Sequence, residues 1–203
     1  MRNLNPEKEY SAYLFDMDGT LVDSEKLKAK ALVKTCNLYG GNASVDLYKK
    51  VMGESWEVVT EHLFNQTQIN PNIADFNFEF KKIYQKILLQ DLETNLNAAN
   101  LLAEIKNKGK KIGVVSSAFS WMVTQVLIQL NLTGFFDIVI TKEQVTKHKP
   151  DPEAYLLALK KLALPGKEVL VFEDSESGLI AAQKANCDAV AFRHAFNTNH
   201  DFG

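Results

Sequence analysis

Cysteine is scarce: Cys36 and Cys187 are the only two in 203 residues. They are too few and too far apart to frame disulfides or a zinc site, which implies a reducing compartment, the cytoplasm. No apolar run approaches the roughly 20 residues needed to span a bilayer, so no membrane partner is expected. The opening stretch Met1–Glu9 is polar and lacks the apolar centre of a signal peptide. A basic excess is missing as well. The 23 Lys and Arg against 25 Asp and Glu leave a formal charge of −2, with nothing in surplus to neutralise nucleic-acid phosphates. Internal repeats and low-complexity tracts are also absent.

What remains is an ordinary globular composition, 46% hydrophobic and 24% charged. Its length suits one sizeable domain, or a core with a smaller insert. Residues 11–15 read as a short buried strand. From Val22 to Asp91 the pattern is helical throughout. Ser24 is placed to cap a helix with Ala29, Leu32, Val33, Cys36 and Tyr39 on one stripe, stopped by Gly40-Gly41. Ser44 opens a second helix. Ser55 opens a third, with Val58, Val59, His62 and Leu63 on one side. A fourth covers residues 75–90, with Phe76, Phe80, Ile83 and Ile87 inward.

From Asn97 onward helices and strands alternate. Strands are expected at 111–115, 137–140, 168–172 and 188–192. The helix at 152–162 is expected to point Tyr155, Leu156 and Leu159 inward. Such alternation implies a parallel sheet covered on both faces. The expected fold is therefore α/β, a Rossmann-like parallel sheet core of residues 1–23 and 92–203. A four-helix cap of residues 24–91 is inserted after the first strand. Residues 193–203 lack periodicity and are expected to be loosely held.

In such sheets ligands sit beyond the carboxyl ends of the strands. There the sequence offers Asp16 and Asp18, Ser116 and Ser117, Lys147 to Lys149, and Glu173-Asp174. Asp16 and Asp18, spaced i, i+2, share a strand face, and two like charges so close need a cation or a shared proton. Carboxylates, hydroxyls and an ammonium suit a divalent cation plus a phosphoryl group. The four histidines show no ligand spacing and read as surface or packing residues.

These residues resemble a known family. Asp16-x-Asp18-Gly19-Thr20, Ser116 after a strand, Lys149-Pro150 and Glu173-Asp174-Ser175-x-x-Gly178 are similar, in order, to the four motifs of the haloacid-dehalogenase-like phosphohydrolases. The helical insert looks like the cap of the branch holding β-phosphoglucomutase and phosphoglycolate phosphatase. The resemblance covers nearly the whole chain. It implies a Mg²⁺-dependent phosphatase of a small phosphorylated metabolite such as a sugar phosphate or phosphoglycolate, expected to be a monomer. Asp16 would be the nucleophile forming an aspartyl-phosphate. Asp18 would protonate the leaving alcohol and then activate water. Asp16, the backbone carbonyl of Asp18, and Asp174 would hold the metal, with Glu173 in or near its second shell. Ser116, Ser117 and Lys149 would bind the phosphoryl oxygens.

The sequence departs from the mutases in its insert. Lys28 falls where they carry a cap histidine, and Trp56 where they carry a phosphate-binding arginine. A mutase must hold both phosphates of a bisphosphate, so a phosphatase is favoured over a sugar-phosphate mutase or a non-catalytic phosphate- or metal-sensing module. Asn95-Leu96 replaces the usual Pro-Gly on the return to the core. Lys28, Glu54 and Trp56 are the expected substrate contacts in the insert.

Overall fold

The first strand, β1 (Ala12–Phe15), is apolar and buried at Ala12, Leu14 and Phe15 because it lies at the centre of a five-stranded sheet. A computed structural model describes residues 8–95, 97–198 and 202. The opening stretch up to Glu7, Leu96 of the return segment, and His200 lie outside the described residues. The other strands are β2 (Lys111–Val115), β3 (Ile138–Ile140), β4 (Val169–Glu173) and β5 (Asp188–Ala191). All pair in parallel, in the order β3-β2-β1-β4-β5. With helices on both faces, continuous apolar runs replace the alternation of a half-exposed strand.

Four helices intervene between β1 and the rest of the core: α1 (Glu25–Leu38), α2 (Val45–Lys49), α3 (Trp56–Thr67) and α4 (Ile73–Asp91). Then come α5 (Ala98–Asn107), α6 (Ser120–Gln129), α7 (Glu153–Leu162) and α8 (Glu176–Lys184). On one sheet face, Leu14, Val115 and Val171 pack with Tyr155 and Ala158 of α7 and Ala181 of α8. On the other, Ile112 and Val114 join a cluster running through α5 and α6 into Leu32, Leu63, Phe76 and Phe80 of the inserted helices. The insert and the sheet therefore share one apolar core. Among the described residues, no helix is long and apolar enough to cross a membrane.

Some local expectations are corrected. Val58 is exposed, because the buried stripe of α3 is Val59, Thr60 and Leu63, and a residue one position off lies about 100° around the helix. Leu156 is exposed for the same reason, the inward residues of α7 being Ala154, Tyr155, Ala158 and Leu159. Ser24 precedes α1 but makes no side-chain cap bond; its hydroxyl turns to Asp18 instead. Residues 193–197 are not loosely held, since Asn197 is fully buried and hydrogen-bonded on both sides of its amide.

The chain leaves and re-enters the core through neighbouring segments. Asn95 donates its side-chain N–H to the carbonyls of Gly19 (3.0 Å) and Thr20 (2.7 Å), stitching return to exit. Gly113 in β2 lets the sheet pack closely, for a Cβ there would lie 2.6 Å from Ile138 Cγ1 and 2.7 Å from Leu14 Cδ2. Gly113→Ala is expected to destabilise the fold by about 1–3 kcal/mol through overpacking, read by urea denaturation. An unchanged midpoint would mean that Ile138 and Leu14 yield freely.

Candidate active site

The ends of β1, β2 and β4 converge on one edge of the sheet. Asp16 follows β1 directly, and its backbone N–H donates to Phe172 O across to β4. Lys149 arrives from the loop before α7 and donates to three acceptors: Asp16 Oδ1 (2.7 Å), Glu173 Oε1 (2.5 Å) and the carbonyl of Val115 (3.0 Å). All three ammonium protons are thereby used, which fixes its position. Lys147, two residues earlier, is exposed and its ammonium lies 4.0 Å from Asp151.

Glu173 is fully buried and saturated. Its Oε1 accepts from Lys149 and from Tyr155 Oη (2.6 Å), and its Oε2 from Ser175 Oγ (3.0 Å). Ser175 Oγ in turn accepts the Gly178 N–H and caps α8. Gly178 has to be glycine, because a Cβ there would overlap the Glu173 carboxylate.

Asp16, Glu173 and Asp174 each bring a carboxylate oxygen to within 4.8 Å of the others. Burial pushes the Asp16 carboxyl well above its usual range; Glu173 and Asp174 add to this and Lys149 opposes it. The Asp174 carboxyl is pushed up by burial, then by Glu25 and Glu173. Burial also opposes the charge on Lys149, but Asp16 and Glu173 outweigh it and hold the ammonium charged. A single ammonium among three buried carboxylates leaves an excess of negative charge. An oxygen-liganded divalent cation is the chemistry that this donor set fits.

Asp18 has different surroundings. Its Oδ1 accepts from Ser24 Oγ, and its Oδ2 lies 3.1 Å from Lys28 Nζ of α1. Lys28 also donates to Glu25 Oε1 (2.9 Å), and Glu25 Oε2 accepts the Tyr48 hydroxyl from α2. Burial disfavours the Lys28 charge, yet Asp18 and Glu25 more than compensate. Above these groups lies a cleft lined by Asp16, Asp18, Lys28, Ser116, Ser117, Lys149 and Asp174 on its polar side. Trp56, Val59, Phe119 and Met122 form its apolar wall, and Glu54 lies on its rim. Ser116 is held by its own N–H to Ile140 O and accepts the Ala118 N–H at Oγ.

The insert meets the core across this cleft. Trp56 donates its indole N–H to Asn77 Oδ1 and packs on Phe80 and Phe119, with ring centroids 4.7 and 6.0 Å away. Lys142 donates to both oxygens of Glu57 at 2.8 Å.

Three groups escaped the reading of the sequence. Two of them are Glu25 and Tyr48, which hold Lys28 beside Asp18. His194 lacked ligand spacing, yet its Nε2 lies 2.8 Å from Asp174 Oδ2. The usable signal was position, because residues just after β5 reach the same sheet edge.

The family model for haloacid dehalogenase-like hydrolases matches residues 13–192. The chain belongs to this family. Among haloacid dehalogenase-like proteins it is 31% identical, over 179 residues, to a phosphorylated carbohydrates phosphatase of Thermotoga maritima, covering 88% of this chain and 83% of that one. A solved structure described as a putative β-phosphoglucomutase from Thermotoga maritima superposes with a TM-score of 0.76 at 30% identity, over 91% of this chain and 86% of that chain. CbbY from Rhodobacter sphaeroides, solved with xylulose-(1,5)bisphosphate, shares the fold at a TM-score of 0.87 and 22% identity, over 96% and 91% of the two chains.

Proposed function

We propose that this hydrolase is a Mg²⁺-dependent phosphatase of a small phosphate monoester, a sugar phosphate or phosphoglycolate, working through an aspartyl-phosphate on Asp16. Asp16, the backbone carbonyl of Asp18, and Asp174 hold the cation, and Glu173 stands behind them, its oxygens taken by Lys149, Tyr155 and Ser175. When bound, the cation offsets the carboxylate charge and polarises the phosphoryl group. Ser116 and Ser117 bind phosphoryl oxygens, and Lys149 attracts the phosphoryl group electrostatically from beside Asp16, turning a proton to it when the substrate enters.

An Asp16 oxygen attacks phosphorus, the ester P–O bond breaks, and Asp18 gives its proton to the departing alkoxide. Water then attacks the aspartyl-phosphate, Asp18 takes the water's proton, and the P–O bond to Asp16 breaks to release inorganic phosphate. The apolar wall at Trp56 and Phe119 excludes bulk water during both steps.

The observation that carries this reading is the separation of the two aspartates. Asp16 lies among Lys149, Glu173 and Asp174, whereas Asp18 faces Ser24 and Lys28 of the insert. This separation supports giving Asp16 the attack on phosphorus and Asp18 the proton transfer to the leaving group. A mutase is disfavoured, because Trp56 presents an indole spent on Asn77 where a second phosphate would need a cation.

Phosphate release from a panel of sugar phosphates, phosphoglycolate and nucleotides, with and without Mg²⁺, tests the proposal. Release should require the cation, and Asp18→Asn should slow it by about 10²–10⁴-fold. No release from any member would overturn it. Conversion of a hexose 1-phosphate to its 6-phosphate with a bisphosphate primer would establish the mutase instead.

A further inference from the structure

The loop after β5 closes on Asp174 from two sides. Asn197, fully buried, donates its side-chain N–H to the backbone carbonyls of Asp174 and Phe192, both at 2.8 Å. Its Oδ1 accepts the backbone N–H of His194 at 2.9 Å. The backbone N–H of Phe196 lies 3.2 Å from His194 Nδ1 and donates to it. That bond needs a bare lone pair on Nδ1, so the proton of the neutral ring sits on Nε2. The Nε2–H therefore donates to Asp174 Oδ2 at 2.8 Å. It is the one side-chain hydrogen bond to this carboxylate among the described residues.

The pair rests on the bare α-carbon of Gly19. A Cβ there would overlap the Asp174 carboxylate and lie 2.8 Å from His194 Nε2. Gly19 is thus the floor on which the donor meets the carboxylate.

From this geometry we propose that His194 is a positioning residue, which engages one oxygen of Asp174 and turns the other toward Asp16 to complete the cation site. The inference rests on the metal-binding reading of Asp16 and Asp174. A carboxylate free to rotate among several rotamers must be ordered when the cation binds; one already held by a neutral donor is not. The His194 loop belongs to the last strand, so cation affinity depends on a segment distant in sequence from all four motifs.

Binding of Mn²⁺ or Mg²⁺ to the full chain, stripped with chelator and measured by calorimetry without substrate, tests the proposal. His194→Gln places an amide N–H where Nε2–H lies and should bind within about threefold of the native chain. His194→Asn places its amide near Nδ1, keeps a polar side chain beside the Phe196 N–H, and loses the reach to Asp174. Its affinity should fall by about 10- to 100-fold, with thermal melting of the metal-free form little changed. Native affinity in His194→Asn, or a loss as large in His194→Gln, would overturn the role of His194 while leaving the cation site standing. Absence of cation binding by the native chain would overturn both.

Discussion

Asp16→Asn is expected to lower phosphate release by at least about 10⁴-fold, because in the proposed mechanism it removes the attacking atom itself. The protein should remain folded. Asparagine has the same shape, and its amide oxygen still accepts from Lys149, which keeps Glu173 and the Val115 carbonyl as further acceptors. Burial disfavours the Asp16 charge, so a neutral group there relieves repulsion with Glu173 and Asp174 even as it weakens the pairing with Lys149. These effects oppose each other, and the net change in stability should stay within about 1 kcal/mol. Phosphate assays beside thermal melts separate the two quantities. Turnover that survives Asp16→Asn would exclude the aspartyl-phosphate route.

Lys149→Met should have the largest effect on stability. The ammonium is the cation held directly between Asp16 and Glu173, and its side chain is 3% exposed. Removing one partner of a buried ionic group typically costs 3–5 kcal/mol, because the remaining charges are left uncompensated. For a chain of this size that corresponds to a fall in Tm of roughly 6–20 °C.

The size of the loss should depend on pH, and the sign follows from Asp16. Its folded-state carboxyl already lies above the usual range. Without Lys149 it should rise further, so that the folded state binds a proton which the unfolded state, with an ordinary value of about 4, has released. A carboxyl raised in the folded state loses stability as pH climbs above the unfolded value. The deficit should therefore be smaller near about pH 5 than near about pH 8, measured in chelator by denaturant melts. A deficit equal at both, or below about 1 kcal/mol, would show that the carboxylates are not held by this lysine.

The parts of the molecule legible from sequence share a cause. Short apolar runs bounded by glycines or acids can satisfy their backbone and bury their side chains only as inner strands, and the observed strands agree within a residue or so. The helices were legible by periodicity, but their exact inner faces were not. Val58 and Leu156 are as apolar as their buried neighbours, and only the orientation of each helix on its partner sends them to solvent. Asp16, Asp18, Glu173 and Asp174 stood out because acids directly after apolar strands have no packing reason to be there.

Ser24 shows where such inference stops. A serine before a helix is a good cap by propensity, yet here a carboxylate six residues back competes for its hydroxyl and wins. Glu25, Tyr48 and His194 were unreadable for a related reason. Each resembles a common surface or core residue until another element brings its partner.

By itself the sequence determined the α/β core, the helices inserted after β1, the family, and the acids at the sheet edge. All of these follow from local patterns that no distant contact has to supply. Tertiary structure alone decided which acceptors hold Lys149, which groups of the insert face Asp18, and that His194 reaches Asp174. Those choices depend on where β1, β2, β4, β5 and α1 end relative to one another in space. A hydrogen bond of under 3 Å between residues 20 or 133 positions apart, as for His194–Asp174 and Lys149–Asp16, leaves no periodic trace in the chain.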